Sequence, residues 1–342
     1  MKKLLTIVIP TYNMQDYLSR GLNSLIVPDS ELMKQLEVLV INDGSTDRSS
    51  EIAHEYETKY PLTFRVIDKE NGHYGSCVNR GLKEATGKYI KILDADDWFD
   101  TANFEKFLHF LAETDVDLVL SDFDIVDEKG AVRETHHYYV NGIQRIHEIP
   151  SFDDMWMHAV AYKVSVFNGL DYHQTEGIAY TDQEWIFLPM VHVKNVIGFP
   201  HVLYKYVLGR EGQTMDPKVC VRSVSNEIKC WESQQYAWEK SETLGRGDAE
   251  NYLWSRLKGR ALHLYSILIL NYRKGYDSQL INKLDMFVQE HNPRLYQLTE
   301  EFTARDNLRF RYIHYWRKWR NRPLVAFIKK VESAVMRKLF NK

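Results

Sequence analysis

Residues 88–97 read KYIKILDADD, a short apolar run that leads directly into three carboxylates within four positions. The apolar run predicts a buried strand. The carboxylates of Asp94, Asp96 and Asp97 would repel one another at the end of that strand unless a cation offset their charge. Oxygen ligands suit hard ions such as Mg²⁺ or Mn²⁺. The alternative interpretation is an ordinary acidic turn that caps a helix near Thr101.

The same alternation of apolar runs and helical patterns fills the first third of the chain. Strands are predicted over residues 4–9, 36–41, 64–67, 88–93 and 117–120, and helices over 15–26, 46–60, 75–85 and 104–111. Aliphatic strands alternating with helices indicate a mostly parallel sheet covered on both faces, which is an α/β fold. From about residue 217 the pattern is helical almost throughout. We therefore predict an α/β domain over 1–216, a helical region over 217–304 and a basic amphipathic tail over 305–342.

Polar clusters follow three of these predicted strands, at the edge where parallel sheets bind ligands. They are Pro10-Thr11-Tyr12-Asn13, Asn42-Asp43-Gly44 and Asp94-Ala95-Asp96-Asp97. The Asp43 carboxylate could accept the N3–H of a uracil or thymine ring, and Tyr12 could stack on the same base. The alternatives are turn chemistry for Asp43, with Ser45 capping the next helix, and simple packing for Tyr12.

These three motifs, in this order and each after a strand, resemble the inverting GT-A glycosyltransferases of family 2. The resemblance is close over about residues 4–100 and continues more weakly to about 215. It implies a GT-A fold, with a Rossmann-like, mostly parallel sheet and flanking helices, followed here by a helical C-terminal region. It also implies a nucleoside-diphosphate sugar donor and a divalent metal cofactor, Mn²⁺ or Mg²⁺.

Carried over residue by residue, the resemblance assigns a donor site to ten positions. They are Pro10, Thr11, Tyr12, Asn13, Asp43, Asn79, Asp94, Ala95, Asp96 and Arg210. Thr11 and Tyr12 would hold the base, and Asp43 would read its imide. Asp94 would contact the ribose or diphosphate region, and Asp96 would ligate the metal, with Asp94 as the other candidate ligand.

The chain departs from the family pattern at residues 75–81, which read GSCVNRG. Asn79 keeps its position, but Val78 replaces the arginine that precedes it in the family. Arg80 would face about 100° away from that position on a helix, so it does not take over the role. Further on, residues 204–214 resemble the strand and loop that close over the donor diphosphate. Arg210 is the candidate for neutralising the charge of the leaving group. The alternative interpretation is that Arg210 is simply a solvated arginine in a loop.

The segment YTDQEWIFL at residues 180–188 resembles the family's catalytic-base region. An inverting transfer needs a carboxylate that removes the proton of the acceptor hydroxyl. Asp182 matches the base position, and Glu184 is the alternative. In the competing interpretation Thr181 caps a helix, and both acids are first-turn residues favoured by the helix dipole.

Bulk composition excludes some partners and suggests others. The net charge of −3 gives no argument for nucleic acid, and three cysteines without regular spacing fit a reducing cytoplasm. Residues 305–342 nevertheless contain twelve Lys and Arg against two acids. An apolar stripe flanked by basic residues suits a peripheral contact with anionic lipid on the inner face of the cell membrane. Packing on the acidic body and a dimer contact are the alternatives.

We therefore predict a metal-dependent inverting glycosyltransferase. It would move a single sugar from a nucleoside-diphosphate donor, UDP-linked, to a hydroxyl of a glycan or lipid-linked acceptor in polysaccharide or glycoconjugate biosynthesis. The chain lacks the Gln-x-x-Arg-Trp motif of processive synthases, which favours single transfer. The alternative is a non-catalytic glycosyltransferase-like subunit that binds a partner. A nucleotidyltransferase would carry a Gly-rich phosphate loop near the first strand, and Pro10-Thr11-Tyr12-Asn13 is not such a loop. The sequence leaves open which sugar is transferred and whether the chain forms a homo-oligomer.

Overall fold

The computed structural model describes residues 2–138, 140–149, 155–209, 213, 217–271, 277–303 and 310–340. The chain divides into two compact units. The first comprises Met1–Asp216 and Lys240–Leu253, and the second comprises Pro217–Glu239 and Trp254–Lys342.

The first unit is built on one sheet flanked by helices. Its strands are β1 (Lys3–Thr11), β2 (Leu36–Asn42), β3 (Phe64–Asp68), β4 (Gly87–Ile92), β5 (Trp98–Phe99), β6 (Leu118–Val126), β7 (Val132–His136), β8 (Gln144–Arg145), β9 (Val160–Lys163) and β10 (Asn195–Val207). Its helices are α1 (Leu18–Ser24), α2 (Ser30–Gln35), α3 (Ser49–Lys59), α4 (His73–Glu84), α5 (Thr101–Glu113) and α6 (Asp182–Trp185).

Among the described residues the strand order is β3-β2-β1-β4-β9-β6-β10-β5, with β7 beside β6 and β8 beside β10. The strands β1, β2, β3, β4, β6 and β10 run in one direction, and β9 lies antiparallel between β4 and β6. Every residue of β2 and of β6 is buried, because helices cover both faces of the sheet. The predicted α/β fold with a mostly parallel sheet is therefore confirmed.

The register brings the polar clusters to one edge of the sheet. Thr11 pairs with Asn42 on the neighbouring strand, and Val8 pairs with Ile92 on the other side. The segments after β1, β2 and β4 consequently leave the sheet at the same edge.

One local prediction is wrong. The helix expected from residue 46 begins only at Ser49, and Ser45 does not cap it. Residues 45–48 instead form a turn fastened by the Asp47 carboxylate, which accepts the backbone N–H groups of Ser49 (2.9 Å) and Gln15 (3.0 Å). These bonds offer the backbone an alternative to the helix.

The second unit is helical in its described residues, as the sequence predicts. Its helices are α7 (Pro217–Leu244, whose last residues belong to the first unit), α8 (Glu250–Leu270, whose first four residues also belong to the first unit), α9 (Ser278–His291), α10 (Pro293–Glu301), α11 (Tyr312–Trp319) and α12 (Arg322–Phe340). Its core includes the fully buried side chains of Trp231, Leu257, Leu264 and Leu284. None of the described helices combines the length and the apolar character that a membrane crossing requires.

Part of the predicted basic tail is neutralised inside this unit. The Arg317 guanidinium contacts Asp285 at 2.7 Å and Glu300 at 2.8 Å, and it stacks 3.7 Å from the ring centre of Tyr296. Because Arg317 and Asp285 are both buried, this pair fixes α11 on α9 and α10. The positive charge of Arg317 is therefore already paired with carboxylates of the helical unit.

Candidate active site

The acidic turn that follows β4 is held by buried hydrogen bonds. The Asp97 carboxylate accepts the Val207 N–H at 2.7 Å and the Tyr204 hydroxyl at 2.7 Å. The same hydroxyl accepts the Asp94 N–H at 3.0 Å, so Tyr204 joins both ends of the turn to β10. The next helix is capped separately by Asp100, which accepts the Asn103 N–H. The acidic run therefore does not cap that helix, and its interpretation as an ordinary helix-capping turn is wrong.

The carboxylates of the turn are costly to ionise. Burial raises the pKa of Asp94 to about 7, and the charge of Asp96 adds to the shift. Burial, with the charges of Asp96 and Asp94, also raises the pKa of Asp97 well above its usual range. A bound cation would favour the ionised forms and so relieve this cost.

Helix α1 supports the turn from the other side. The Arg20 guanidinium lies 3.6 Å from the ring centre of Trp98 and donates to the Asp96 carbonyl at 3.3 Å. A side chain at Gly21 would place its Cβ 2.8 Å from the Asp97 carbonyl, so only glycine permits this approach. Arg20 brings a positive charge close to the acidic run, a role that the sequence did not reveal.

A group able to hold a divalent cation lies at this turn. Ligand atoms of Asp94, Asp97 and His158 all lie within 4.8 Å of one another. Burial, followed by the charges of Lys91 and His136, lowers the pKa of His158 to about 3, so the imidazole is neutral. Its buried Nδ1 has no hydrogen-bond partner among the described residues.

These residues fit a metal ion, because an orphaned neutral imidazole nitrogen beside two carboxylates is a ready donor set. Asp96, the predicted metal ligand, is buried and close enough for its charge to act on Asp94, but it is not a member of this three-residue group.

A buried lysine fixes the position of His158. Lys91 lies near the end of β4 with no exposed surface, and its ammonium donates to the His158 carbonyl at 2.6 Å and the Val160 carbonyl at 3.2 Å. Burial lowers the pKa of Lys91 to about 7. The lysine thus ties the start of β9 to the strand that carries the acidic turn.

Asp182, the predicted base, lies at the same cluster. After burial and closer groups, its charge contributes to the raised pKa values of Asp94, Tyr74 and Tyr206, so its carboxylate lies within electrostatic range of the acidic turn. Tyr74 donates its hydroxyl to Asp94 at 3.0 Å. The helix α6 has four residues and no capping bond from the side chain at its N-cap position, Thr181, so helix capping does not explain this acid pair.

Glu184 has a different task. Its buried carboxylate accepts both the backbone N–H of Thr175 at 2.6 Å and the hydroxyl of the same residue at 2.7 Å. These bonds hold the loop before α6, and they leave Asp182 as the acid of this segment that faces the cluster.

The predicted base-binding residues lie together at the ends of β1 and β2. Tyr12 is 47% exposed, and Asn13 fastens its loop to the next one by accepting the Thr46 N–H at 2.8 Å. The buried Asp43 carboxylate accepts the Lys69 ammonium and the Gly72 N–H (2.9 Å). Pro10, near the end of β1, is half-buried, while Thr11, the last residue of that strand, and Ala95 in the acidic turn are both buried.

Asn79 holds a loop. Its amide donates to the Gln174 carbonyl at 2.8 Å and accepts the Gln174 N–H at 2.8 Å. On the same helix, a Cβ at Gly75 would stand 2.0 Å from the Thr175 carbonyl. This face of α4 therefore receives the loop that Glu184 also binds. Arg210, the predicted leaving-group contact, lies outside the described residues.

Comparison with known proteins agrees with this arrangement. Residues 6–171 match the sequence model of glycosyl transferase family 2. An uncharacterized glycosyltransferase of Mycoplasma genitalium is 36% identical over 140 residues, which are 40% of this chain and 45% of that protein. The minor teichoic acid biosynthesis protein GgaB of Bacillus subtilis is 35% identical over 116 residues, 33% of this chain and 13% of that protein. The matched regions thus span less than half of these relatives.

Among solved structures, TarS of S. aureus (residues 1–349) superposes with a TM-score of 0.65 and 19% identity, covering 92% of this chain and 87% of that one. The same protein in complex with UDP-GlcNAc gives a TM-score of 0.61 at 20% identity, with the same coverage. At such identities the likeness concerns the fold. Together, the three motifs, the sheet that aligns them and the family match show that residues 6–171 of this chain carry a glycosyl transferase family 2 domain.

Proposed function

We propose that this chain transfers a single sugar, with inversion, from a UDP-linked donor to a hydroxyl of a glycan or lipid-linked acceptor. The observation that carries the proposal is that Asp182 shares one cluster with the acidic turn of residues 94–97, within a family 2 domain. A base and a cation-binding group at one sheet edge are what an inverting transfer from a nucleoside diphosphate requires.

The donor class is supported by two comparisons. TarS, which has the same fold, was solved with UDP-GlcNAc, and GgaB is described as a teichoic acid biosynthesis protein. By analogy of fold and family we infer a UDP-sugar donor and a role in polysaccharide biosynthesis. Tyr12 and Asp43 would hold the uracil at the ends of β1 and β2.

The metal would be held by Asp94 with His158 and by one or both of Asp96 and Asp97. When bound, it would offset the negative charge of the donor diphosphate. We infer Mn²⁺ rather than Mg²⁺, because an imidazole donor suits manganese better than magnesium. Tyr74, which donates to Asp94, would keep that carboxylate oriented.

The base step falls to Asp182. Its carboxylate would accept the proton of the acceptor hydroxyl as the oxygen attacks the anomeric carbon and the bond to the diphosphate breaks.

The test is UDP release from a panel of UDP-sugars by the purified chain, with Mn²⁺ and with chelator. We expect Mn²⁺-dependent release with at least one donor. Asp182→Asn should still bind that donor but lose transfer by a factor of roughly 10² to 10⁴. Asp115→Asn is the matched control, because among the described residues this exposed carboxylate pairs with Lys88 and Lys163 at the other end of β4. No binding and no turnover with any donor would favour the non-catalytic subunit. Wild-type activity in Asp182→Asn would remove that residue from the base role.

We also propose that the C-terminal helix contacts an anionic membrane surface. Helix α12 exposes Leu324, Phe327 (64% exposed) and Val331, which lie on one stripe, and Lys330 is exposed beside them. Exposed apolar residues beside basic ones suit the interface of a bilayer that contains anionic lipid.

Co-sedimentation with vesicles tests this contact. We expect binding to vesicles of phosphatidylglycerol and not to vesicles of phosphatidylcholine alone. Phe327→Ser should weaken binding, whereas Met286→Ser should not, although Met286 on α9 is equally exposed at 69%. Equal loss in both variants, or none in either, would contradict the assignment to α12.

A further inference from the structure

A cluster of aromatic side chains lies beside the acidic turn, on strands β6, β7 and β10 and on the segment before β9. We call it the aromatic wall, and its members are Phe123, His136, Tyr138, Trp156, His158 and Tyr206. The rings of Phe123 and His136 stack at 4.6 Å with an interplanar angle of 1°, and those of His158 and Tyr206 stack at 4.2 Å. Trp156 contacts His136, His158 and Phe123 at 5.4 to 5.9 Å.

The wall has a buried layer and a partly open layer. Phe123 and His158 are buried, whereas His136, Trp156 and Tyr206 keep part of their surface accessible. The backbone N–H of residue 156 donates to the Tyr138 hydroxyl at 3.1 Å, which fixes where the tryptophan emerges. Packing and hydrogen bonding therefore hold these rings in place before any ligand arrives.

The wall adjoins the reacting groups. His158 is a member of the wall. It also belongs to the candidate metal group with Asp94 and Asp97, whose ligand atoms all lie within 4.8 Å of one another. The carboxylates of Asp97, Asp94 and Asp182 add to the effect of burial in raising the pKa of Tyr206. Tyr206, which stacks on His158, thus belongs to the part of the wall next to the acidic turn.

The sheet order separates the wall from the nucleotide end of the site. Strands β1 and β2, which carry Tyr12 and Asp43, lie on one side of β4. Strands β9, β6 and β10, which carry or adjoin the wall, lie on its other side. A donor that spans from β1 to the acidic turn would not cover the aromatic wall. The wall would then be open to the acceptor, whose hydroxyl attacks the donor.

We propose that the aromatic wall is the acceptor subsite and that it binds a sugar ring. A pyranose has apolar C–H faces and a polar rim, which match aromatic faces edged by hydroxyl and imidazole groups. The attacking hydroxyl therefore belongs to a terminal sugar of the acceptor and not to a simple polyol or an alkyl alcohol. This inference rests on the proposed function, of which it specifies the acceptor.

The experiment uses the full chain with UDP-GlcNAc and Mn²⁺, and it compares p-nitrophenyl glycosides with glycerol and dodecanol as acceptors. Glycosides are expected to accelerate UDP release, and the other two are not. Trp156→Leu should raise the KM for the glycoside about 10-fold while the KM for UDP-GlcNAc changes less than about 2-fold, since one aromatic contact contributes about this much. Trp156→Phe should restore most of the lost affinity. Trp319→Leu, which changes another partly exposed tryptophan on α11, should leave both KM values unchanged.

Three outcomes would overturn the inference. Acceleration by glycerol or dodecanol and not by glycosides would exclude a sugar acceptor. A larger rise in the donor KM than in the glycoside KM would assign the wall to the donor sugar. Glycoside binding is also measured directly by saturation-transfer NMR with UDP and Mn²⁺ present, so the subsite is tested even without turnover. Equal binding to wild type and Trp156→Leu would remove the wall from the site, whereas absent UDP release alone would count against the proposed function.

Discussion

Replacing Tyr204 by phenylalanine isolates the hydroxyl that organises the acidic turn. This buried hydroxyl donates to Asp97 at 2.7 Å and accepts the N–H of Asp94 at 3.0 Å. The ring itself remains, so its packing against Phe99 is retained. The substitution therefore removes two hydrogen bonds and leaves the core otherwise intact.

The size of the effect follows from those two bonds. Loss of a hydrogen bond to a charged group costs about 2 kcal/mol, and a backbone N–H left without its partner costs about 1 kcal/mol or more. Because the raised pKa of Asp97 lets it take up a proton, part of the first cost is avoided. We therefore expect a loss of about 2 kcal/mol in the free energy of unfolding, or a fall of roughly 4–8 °C in Tm.

The functional effect should exceed the loss of stability. Groups that orient metal ligands typically contribute 10- to 100-fold to metal affinity, so Mn²⁺ binding by Tyr204→Phe should weaken by about that factor. Thermal unfolding gives the first quantity, and electron paramagnetic resonance of free Mn²⁺ gives the second.

The matched control is Tyr89→Phe on β4. The Tyr89 hydroxyl is equally buried, and it bonds backbone groups of Thr114 and Val116 at the other end of the strand. Both variants should lose similar stability, and only Tyr204→Phe should lose Mn²⁺ affinity. Unchanged Mn²⁺ binding in Tyr204→Phe would refute the reasoning, because Tyr204 would then act only in packing.

Three further predictions concern other parts of the molecule. Gly75→Ala should lower the free energy of unfolding by about 1–3 kcal/mol in chemical denaturation, because its Cβ would stand 2.0 Å from the Thr175 carbonyl; an unchanged midpoint would contradict this close approach. Mn²⁺ affinity measured by calorimetry should fall about fivefold between pH 7 and pH 6, since Asp94, whose pKa is raised to about 7, must lose a proton to bind. Without metal, the same raised pKa favours the folded state at low pH, and this contribution is lost as pH rises from about 4 to 7. Arg317→Met should destabilise the helical unit by about 3 kcal/mol, because buried Asp285 would keep only the Tyr265 hydroxyl (2.8 Å) and the more distant Arg320 guanidinium (3.7 Å) among its described partners, and an unchanged Tm would show the pair to be dispensable.

The parts of the fold that local sequence determines were predictable. Aliphatic runs such as 36–41 and 88–93 gave the parallel strands, because only buried strands tolerate so little polar surface. The three polar clusters followed from the rule that ligands bind where parallel strands end. The start of α3 was not predictable in this way, since Asp47 forms a turn with Ser49 and Gln15 that competes with the helix.

The hydrogen bonds that hold the site in place join residues that are far apart in the sequence. No local sequence pattern predicts them. Tyr204 is 107 residues from Asp97, and Asn79 is 95 residues from Gln174. A tyrosine in a strand such as β10 is compatible with packing alone, so nothing in its neighbourhood marks Tyr204 as the organiser of the turn. No local pattern marks His158 as a candidate ligand, because it comes close to Asp94 and Asp97 only in the folded chain.

The two acids of the turn divide the work between structure and chemistry. Both oxygens of Asp97 already accept a hydrogen bond from β10, so this side chain keeps the turn in shape whether or not a cation is present. The Asp94 carboxylate accepts the Tyr74 hydroxyl, and its pKa of about 7 lets a cation change its charge state near neutral pH. Metal binding should therefore change the charge state of Asp94 while Asp97 keeps its structural role.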